Sequence, residues 1–488
     1  MNRAVKIIGA LLLAGVAVVA VRTATFAPKG VADASGITLA EATAFDVDAA
    51  AERLGAAVRF QTVSHQDIAE NKPEEWAKLQ SWLITAYPRF HAAATREIVG
   101  DRSLMYRWEG SDTAAQPIIV MAHQDVVPVT PGTEQDWKHP PFAGKIAEGA
   151  VWGRGSIDDK GSLIGLFEAL EGLAASGFKP KRTIYLVAGH DEEAGGSGAV
   201  AAAEVLAKRG VKALFTIDEG AAIITDAPVI NAPAILIGIA EKGYATLKVE
   251  APATGGHSSM PPKEIGTVNL AKAVVAIHQH QFPGKLEGPA QGMIEVLMGR
   301  AGGLPKVAVA NRWLFDGMIT RMMMANPSSA AMLHTTIAPT MLSGSPKENV
   351  LPQTATAMIN YRLAPGDMPD DILKRAGEAV GDLPVKLSLN DRTRPPSTVS
   401  STESEGWKLI RAAAESEAKG APVAPYLVVA GTDSRAMSGV STDVYRFQPI
   451  KLKTSETGMI HGTNEHISLD NLARMIRFYS HLIATAAG

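Results

Sequence analysis

The sequence predicts an α/β protein: a sheet with helices on both faces, interrupted by a smaller α+β unit. Three observations lead there. Short apolar segments at 117–122 (PIIVMA), 183–188 (TIYLVA) and 213–217 alternate with helix-length segments at 161–175 and 198–209, the pattern of a sheet buried on both faces. From 242 the order changes to strand, helix, strand, strand, helix, strand, which is a ferredoxin-like arrangement. After 395 the first pattern returns, so the second unit interrupts the first.

Taken in order, Arg3 and Lys6 precede an apolar run of 15 residues at 7–21 that Arg22 ends. The run is short of the roughly 20 residues a comfortable membrane span needs and fits a signal-peptide core of about 7–15. Residues 1–22 are expected to be a signal peptide or membrane anchor, with a linker at 23–38. Either sends the remainder out of the cytosol, most simply to a bacterial periplasm, anchored to the inner membrane or secreted after cleavage. A first catalytic segment follows at 39–241, with an amphipathic helix at 74–86. In the inserted unit, 242–394, strands are expected at 243–251, 335–342, 355–363 and 385–389, and helices at 267–280 and 369–380. The stretch 283–334 has no counterpart in that motif and reads as a helical insertion. The second catalytic segment, 395–488, carries a helix at 404–419, a strand at 426–430 and a closing helix at 470–486.

Composition narrows the function. The 488 residues suit two or three domains. With 47 basic against 50 acidic side chains and a net charge of -3, no positive excess exists to drive nucleic-acid binding. Cysteine is absent, which excludes disulfides, thiolate metal sites and a cysteine nucleophile, leaving His, Asp and Glu for any metal.

Five polar segments fall at strand ends or ahead of helices, where α/β sheets gather ligands. His123 and Asp125 lie two apart after the strand 117–122 and share a face in extended chain; a carboxylate there can fix the tautomer of a ligating imidazole. Asp158 and Asp159 sit in the glycine-flanked run WGRGSIDDKG, which also reads as a helix N-cap. Glu192 and Glu193 follow the next strand in HDEEAGG, Asp218 and Glu219 the third in IDEG, and His461 and His466 stand in IHGTNEH before the last helix. Singly these are a solvated charge run, a turn and loop histidines. Together they place imidazoles and carboxylates at successive strand ends of one sheet, a hard-ligand divalent metal site.

In this order the segments resemble the dizinc exopeptidase and amidohydrolase family, which includes glutamate carboxypeptidase, succinyl-diaminopimelate desuccinylase, aminoacylase and carnosinase. HQDVVPV, WGRGSIDDKG, DEEAGGSGA, TGGHSSMPP, PKENVLPQTATAMINYRLAPGD and HGTNEHIS carry the likeness, which covers nearly the whole chain beyond residue 45. Within the family the chain looks most like vacuolar carboxypeptidase S and the secreted N-fatty-acyl amino acid synthase/hydrolase. The resemblance implies a zinc-exopeptidase-type sheet, interrupted by a ferredoxin-like lid and dimerisation domain. It further implies two zinc ions, with cobalt or manganese as substitutes, bridged by Asp158: one held by His123 and Asp218, with Glu219 the alternative at that step, the other by Glu193 and His461. Glu192 would be the general base and Asp125 would orient His123. His257, on the lid and often supplied by a partner subunit in relatives, would stabilise the oxyanion with help from Asn349. Arg362 and the backbone of Gly431, Thr432, Asp433 and Ser434 would bind the substrate's free carboxylate.

The reaction implied is hydrolysis of the amide bond of an N-acyl amino acid, with dipeptide carboxypeptidase activity as the alternative and a metal-free scaffold as a remote one. Met318, Met322, Met323, Met324 and Met332 surround Trp313 and Phe315 in the insertion. They read either as core packing or as an adaptable lining for a fatty acyl chain.

Overall fold

The computed structural model describes residues 3–488. A ten-stranded sheet organises it, and three parallel neighbours at its centre carry the polar segments: Ile184–Gly189, Ile118–His123 and Ala213–Asp218. Alternation along the middle strand splits its side chains between two cores. Ile118, Val120 and Ala122 enter the larger core with helices Val47–Arg59, Lys160–Ala175, Glu405–Glu417 and Leu469–Ala487, whereas Ile119 and Met121 meet helix Ser197–Lys208 on the opposite face. Covered on both sides, these strands are continuously apolar until their carboxyl ends, where the polar residues emerge together. A small sheet of Lys145–Ala147, Ala150–Trp152 and His466–Ser468 then brings the 461 segment beside the 153–158 loop.

The inserted unit contains an antiparallel four-stranded sheet of Gly243–Pro252, Thr336–Ser343, Thr354–Leu363 and Lys386–Leu389, with Thr354–Leu363 and Gly243–Pro252 at its centre. Helices Gly266–Gln279 and Pro369–Val380 cover one face. The ferredoxin-like strand order is therefore present. The strand expected at 426–430 is Val423–Val428, and Thr95–Val99, Ser103–Trp108, Ile223–Ala227, Ala232–Glu241, Ser441–Arg446 and Lys451–Leu452, which were not among the elements expected from sequence, complete the large sheet.

Two segments have contacts that the sequence did not specify. The helical insertion, Gly288–Ala301, Gly303–Ala310, Arg312–Met324 and Pro327–Ala330, packs on the large sheet and not on the four-stranded one: Met293, Leu297, Met323 and Met332 share a core with Leu236, Ala424 and Leu427. In the 23–38 linker, the Ala32 carbonyl accepts from Trp407 Nε1 and Arg411 Nη1 at 2.9 and 2.7 Å. Among the described residues one helix, spanning 6–24, is long and apolar enough to cross a membrane.

Where the chain passes between the units, a buried ion cluster clamps both crossings. Glu241 accepts from Arg435 Nε at 3.0 Å, Arg446 Nη2 at 3.4 Å and the Thr432 amide at 2.7 Å. Arg435 also donates to the carbonyls of Lys242 and Pro395, at 2.6 and 2.7 Å. Gly243 must be glycine: a Cβ there would stand 2.7 Å from both the Arg394 carbonyl oxygen and the Pro396 nitrogen. Breaking one side of a buried pair leaves the other charge uncompensated. Glu241→Gln is accordingly expected to destabilise the fold by about 3–5 kcal/mol in urea unfolding, and a loss within error of zero would show that the clamp carries no stability.

Candidate active site

Asp158 is the meeting point. Its Oδ1 lies 2.9 Å from His123 Nε2 and its Oδ2 lies 3.0 Å from His461 Nε2. His461 Nε2 also lies 3.1 Å from Glu193 Oε1. Among the described residues, donor atoms gather within 4.8 Å in three groups: His123, Asp158 and Glu219; Asp158, Glu193 and His461; and His123, Glu192 and Glu193. Two of these share Asp158, and Glu192 stands beside both through the third.

The surroundings hold each donor in place. His123 Nδ1 is 3.0 Å from the Asp125 carbonyl and 3.3 Å from its carboxylate, which fixes the tautomer and leaves Nε2 facing the cluster. The same carboxylate accepts the amides of Glu192 and Glu193, both at 3.2 Å, so Asp125 orients three of the clustered residues. Glu465, in a quoted motif but assigned no role from sequence, proves to be the organiser of the other side. It accepts the amides of Gly155, Ile157 and Asp158 at 2.9–3.2 Å and Arg154 Nη1 at 2.7 Å. Arg154 Nη2 in turn donates to the His461 carbonyl at 2.9 Å. Asp159 takes the His123 amide at 3.2 Å and Gln448 Nε2 at 2.8 Å.

The electrostatics are those of negative charge crowded out of water. Burial, with neighbouring carboxylates adding to it, pushes Glu192 and Glu219 well above the usual carboxylate range, and burial raises Glu193 as well. Burial would raise Asp158 too, but its bonds to His123 and His461 outweigh that and hold it low. The bonds of His461 to Asp158 and Glu193 raise its pKa to about 10. Four clustered carboxylates thus face two imidazoles. Oxygen and nitrogen donors, no thiolate and excess negative charge fit divalent cations of the zinc, cobalt or manganese class.

Two sets of residues assigned from sequence have neighbours of their own. Glu219, the alternative to Asp218, falls in the donor group with His123 and Asp158, and the Asp218 carboxylate accepts the Ser434 amide at 2.9 Å. The 431–434 backbone is also less available than expected, because Thr432 donates its amide to Glu241 and Ser434 to Asp218. Gly431 is exposed beside them. Arg362 lies at the end of its strand, its guanidinium carbon 5.0 Å over the Tyr244 ring, and burial lowers its pKa. His257 and Asn349 sit together on the inserted unit: the Ser258 amide donates to the Asn349 carbonyl at 3.2 Å, and His257 Nδ1 lies 2.8 Å from Ser259 Oγ. Neither belongs to the metal-ligating groups among the described residues.

Comparison with known proteins gives the family. Residues 119–485 match Peptidase family M20/M25/M40. The chain belongs to that family. It is 34% identical over 440 residues to a probable carboxypeptidase S-like 2 of Dictyostelium discoideum, spanning 89% of this chain and 84% of the relative. It is 35% identical over 438 residues to the N-fatty-acyl-amino acid synthase/hydrolase PM20D1 of Xenopus tropicalis, spanning 88% and 85%. In fold it is similar to an M20 family metallo-carboxypeptidase from Sulfolobus solfataricus, with a TM-score of 0.66 and 18% identity over 90% of this chain and 99% of that one. The M20 chain is a metal-dependent hydrolase, and its N-terminal apolar helix fits a signal peptide.

The choice between Glu219 and Asp218 is directly testable. Glu219→Gln is expected to lower the metal content of purified protein by about one ion per chain, whereas Asp218→Asn leaves it unchanged; the opposite pattern by elemental analysis would restore Asp218 as the ligand.

Proposed function

We propose that this M20 hydrolase cleaves the amide bond of N-acyl amino acids with two zinc ions, one on His123, Asp158 and Glu219 and the other on Asp158, Glu193 and His461. The observation that supports this most is the pair of donor groups sharing Asp158, with buried Glu192 beside both. Bound cations supply Lewis acidity toward the scissile carbonyl and make water a nucleophile near neutral pH.

The chain's own residues do the rest. Glu192, held protonatable by its burial, takes a proton from the attacking water and delivers it to the leaving nitrogen, so that water and amide become a carboxylic acid and a free amine. Asp125 keeps His123 and the Glu192 backbone in register. His257, with Asn349 behind it, comes from the inserted unit, acting as a lid, to donate to the developing oxyanion, in the assembled enzyme from a lid-mediated homodimer. Arg362 receives the substrate carboxylate. It takes part in no ion pair among the described residues, and Lys242 and Arg435 add positive charge beside it, so a bidentate site for a carboxylate is available. The N-terminal helix exports the chain to the periplasm and leaves it anchored to the inner membrane or secreted.

Acyl substrates are favoured over dipeptides by the likeness to the fatty-acyl-amino acid hydrolases. A carboxypeptidase reading uses the same residues and is favoured by 30% identity to Carboxypeptidase S of Saccharomyces cerevisiae, over 88% of this chain. Purified protein offered N-oleoyl-phenylalanine and Gly-Phe separately decides between them: the proposal predicts chelator-sensitive phenylalanine release mainly from the acyl substrate, and release mainly from Gly-Phe would overturn that preference. Glu192→Gln should lower kcat by about 10²–10⁴-fold with metal content intact; unchanged turnover would remove Glu192 from the base role.

A further inference from the structure

The helical insertion leaves an apolar face uncovered. Its inner stripe on helix Arg312–Met324 is Phe315, Ile319 and Met323, which pack on the core under the large sheet. Beside it, at the same four-residue spacing, run Leu314, Met318 and Met322, and these are 54%, 48% and 68% exposed. Trp313 on that helix and Leu304 on the preceding one are 62% and 83% exposed. Five large apolar side chains on two consecutive helices exceed the scattered exposure of an ordinary soluble surface and mark a contact face.

Two further observations identify what covers it. First, the face is continuous with the N-terminal helix Arg3–Ala24. Buried Asn311, one residue before Arg312, donates to Thr23 Oγ1 at 3.1 Å, and Arg22 Nε donates to the Ala310 carbonyl at 3.2 Å. Phe26, just beyond the helix, packs into the insertion's own core. The last turn of the one described helix able to cross a membrane therefore rests on the insertion, and a bilayer crossed by that helix would end at the level of the exposed side chains. Second, the charge suits lipid headgroups. Residues 296–330 contain Arg300, Lys306, Arg312 and Arg321 against the single acid Asp316, and Asp316 is already paired with Arg312. Neither Lys306 nor Arg321 has a carboxylate partner among the described residues.

We infer that the insertion is a second membrane-contact element: helices Gly303–Ala310 and Arg312–Met324 lie in the interface of an anionic phospholipid bilayer at the foot of the N-terminal helix. Leu304, Leu314, Met318 and Met322 enter the acyl region, Trp313 sits at the headgroup boundary where its amphipathic ring is at home, and the unpaired cations meet lipid phosphates. The inference rests on the membrane tether and not on the chemistry of the reaction.

The chain has no cysteine, so single spin labels can be placed cleanly. The full chain is reconstituted into phosphatidylethanolamine–phosphatidylglycerol vesicles carrying Leu304→Cys, Met318→Cys, Met322→Cys or, as a reference, Ile68→Cys, whose site is 77% exposed on the catalytic segment. After flotation, each label's collision rate with oxygen and with a water-soluble nickel chelate is compared. The expected result is oxygen access exceeding nickel access at 304, 318 and 322, and the reverse at 68. Protein that floats with the vesicles while all four labels stay nickel-accessible would overturn the inference and leave the N-terminal tether standing. Protein that fails to float would overturn both, leaving the reaction untouched. A label at 318 or at 322 that is broadened by the same label on a second chain, with no gain of oxygen access, would assign the face to a second copy and overturn it equally.

Discussion

Asp158 meets two imidazoles that reach it from distant parts of the chain, His123 from the central strand and His461 from the segment before the last helix. Almost everything around the site serves to keep those three groups within one carboxylate's span. Glu465 gathers the loop amides that aim Asp158 and, through Arg154, holds the carbonyl of His461, so one buried carboxylate sets both sides of the contact. Asp125 does the same for the opposite wall by orienting His123 and the two glutamates together. The large sheet supplies the frame on which these bonds converge, since the three parallel strands at its centre end at this edge.

The consequence is a pocket of carboxylates whose mutual repulsion and burial can be relieved by protons or by cations. Protonation would silence Glu192, Glu193 and Glu219 together. Under the proposed function, cations would relieve the repulsion and leave Glu192 free to move a proton, because the cluster offers other donors for two metal positions. The shared carboxylate would then matter more than any single ligand, since it would let one water and one carbonyl feel both charges.

Much of this was legible in the sequence. His123, Asp158, Glu193 and His461 were readable because each follows an apolar strand or precedes a helix in a chain without thiols, and the six-element order of the inserted unit was readable from its alternation. The choice between Asp218 and Glu219 was not legible, because Asp218 ends its strand and the turn into Gly220, with φ of 120°, sets the direction of the next side chain by a conformation no spacing encodes. The loop amides at Thr432 and Ser434 were expected to be open, but their acceptors, Glu241 and Asp218, come from distant segments. The methionine-rich insertion carried two readings, and the structure divides them by position: Met323 and Met332 are buried in a core, while Met318 and Met322 face outward. Its attachment to the large sheet was invisible, since apolar helices do not announce which surface they cover.

The claim on which all of this turns is that one carboxylate, Asp158, is shared by two cations. Anomalous diffraction at the zinc edge, on crystals of the full chain grown with zinc, tests it most directly. The account predicts two peaks flanking Asp158, one beside His123 and Glu219 and the other beside Glu193 and His461. A single peak at full occupancy, or two peaks of which one lies away from Asp158, would contradict it.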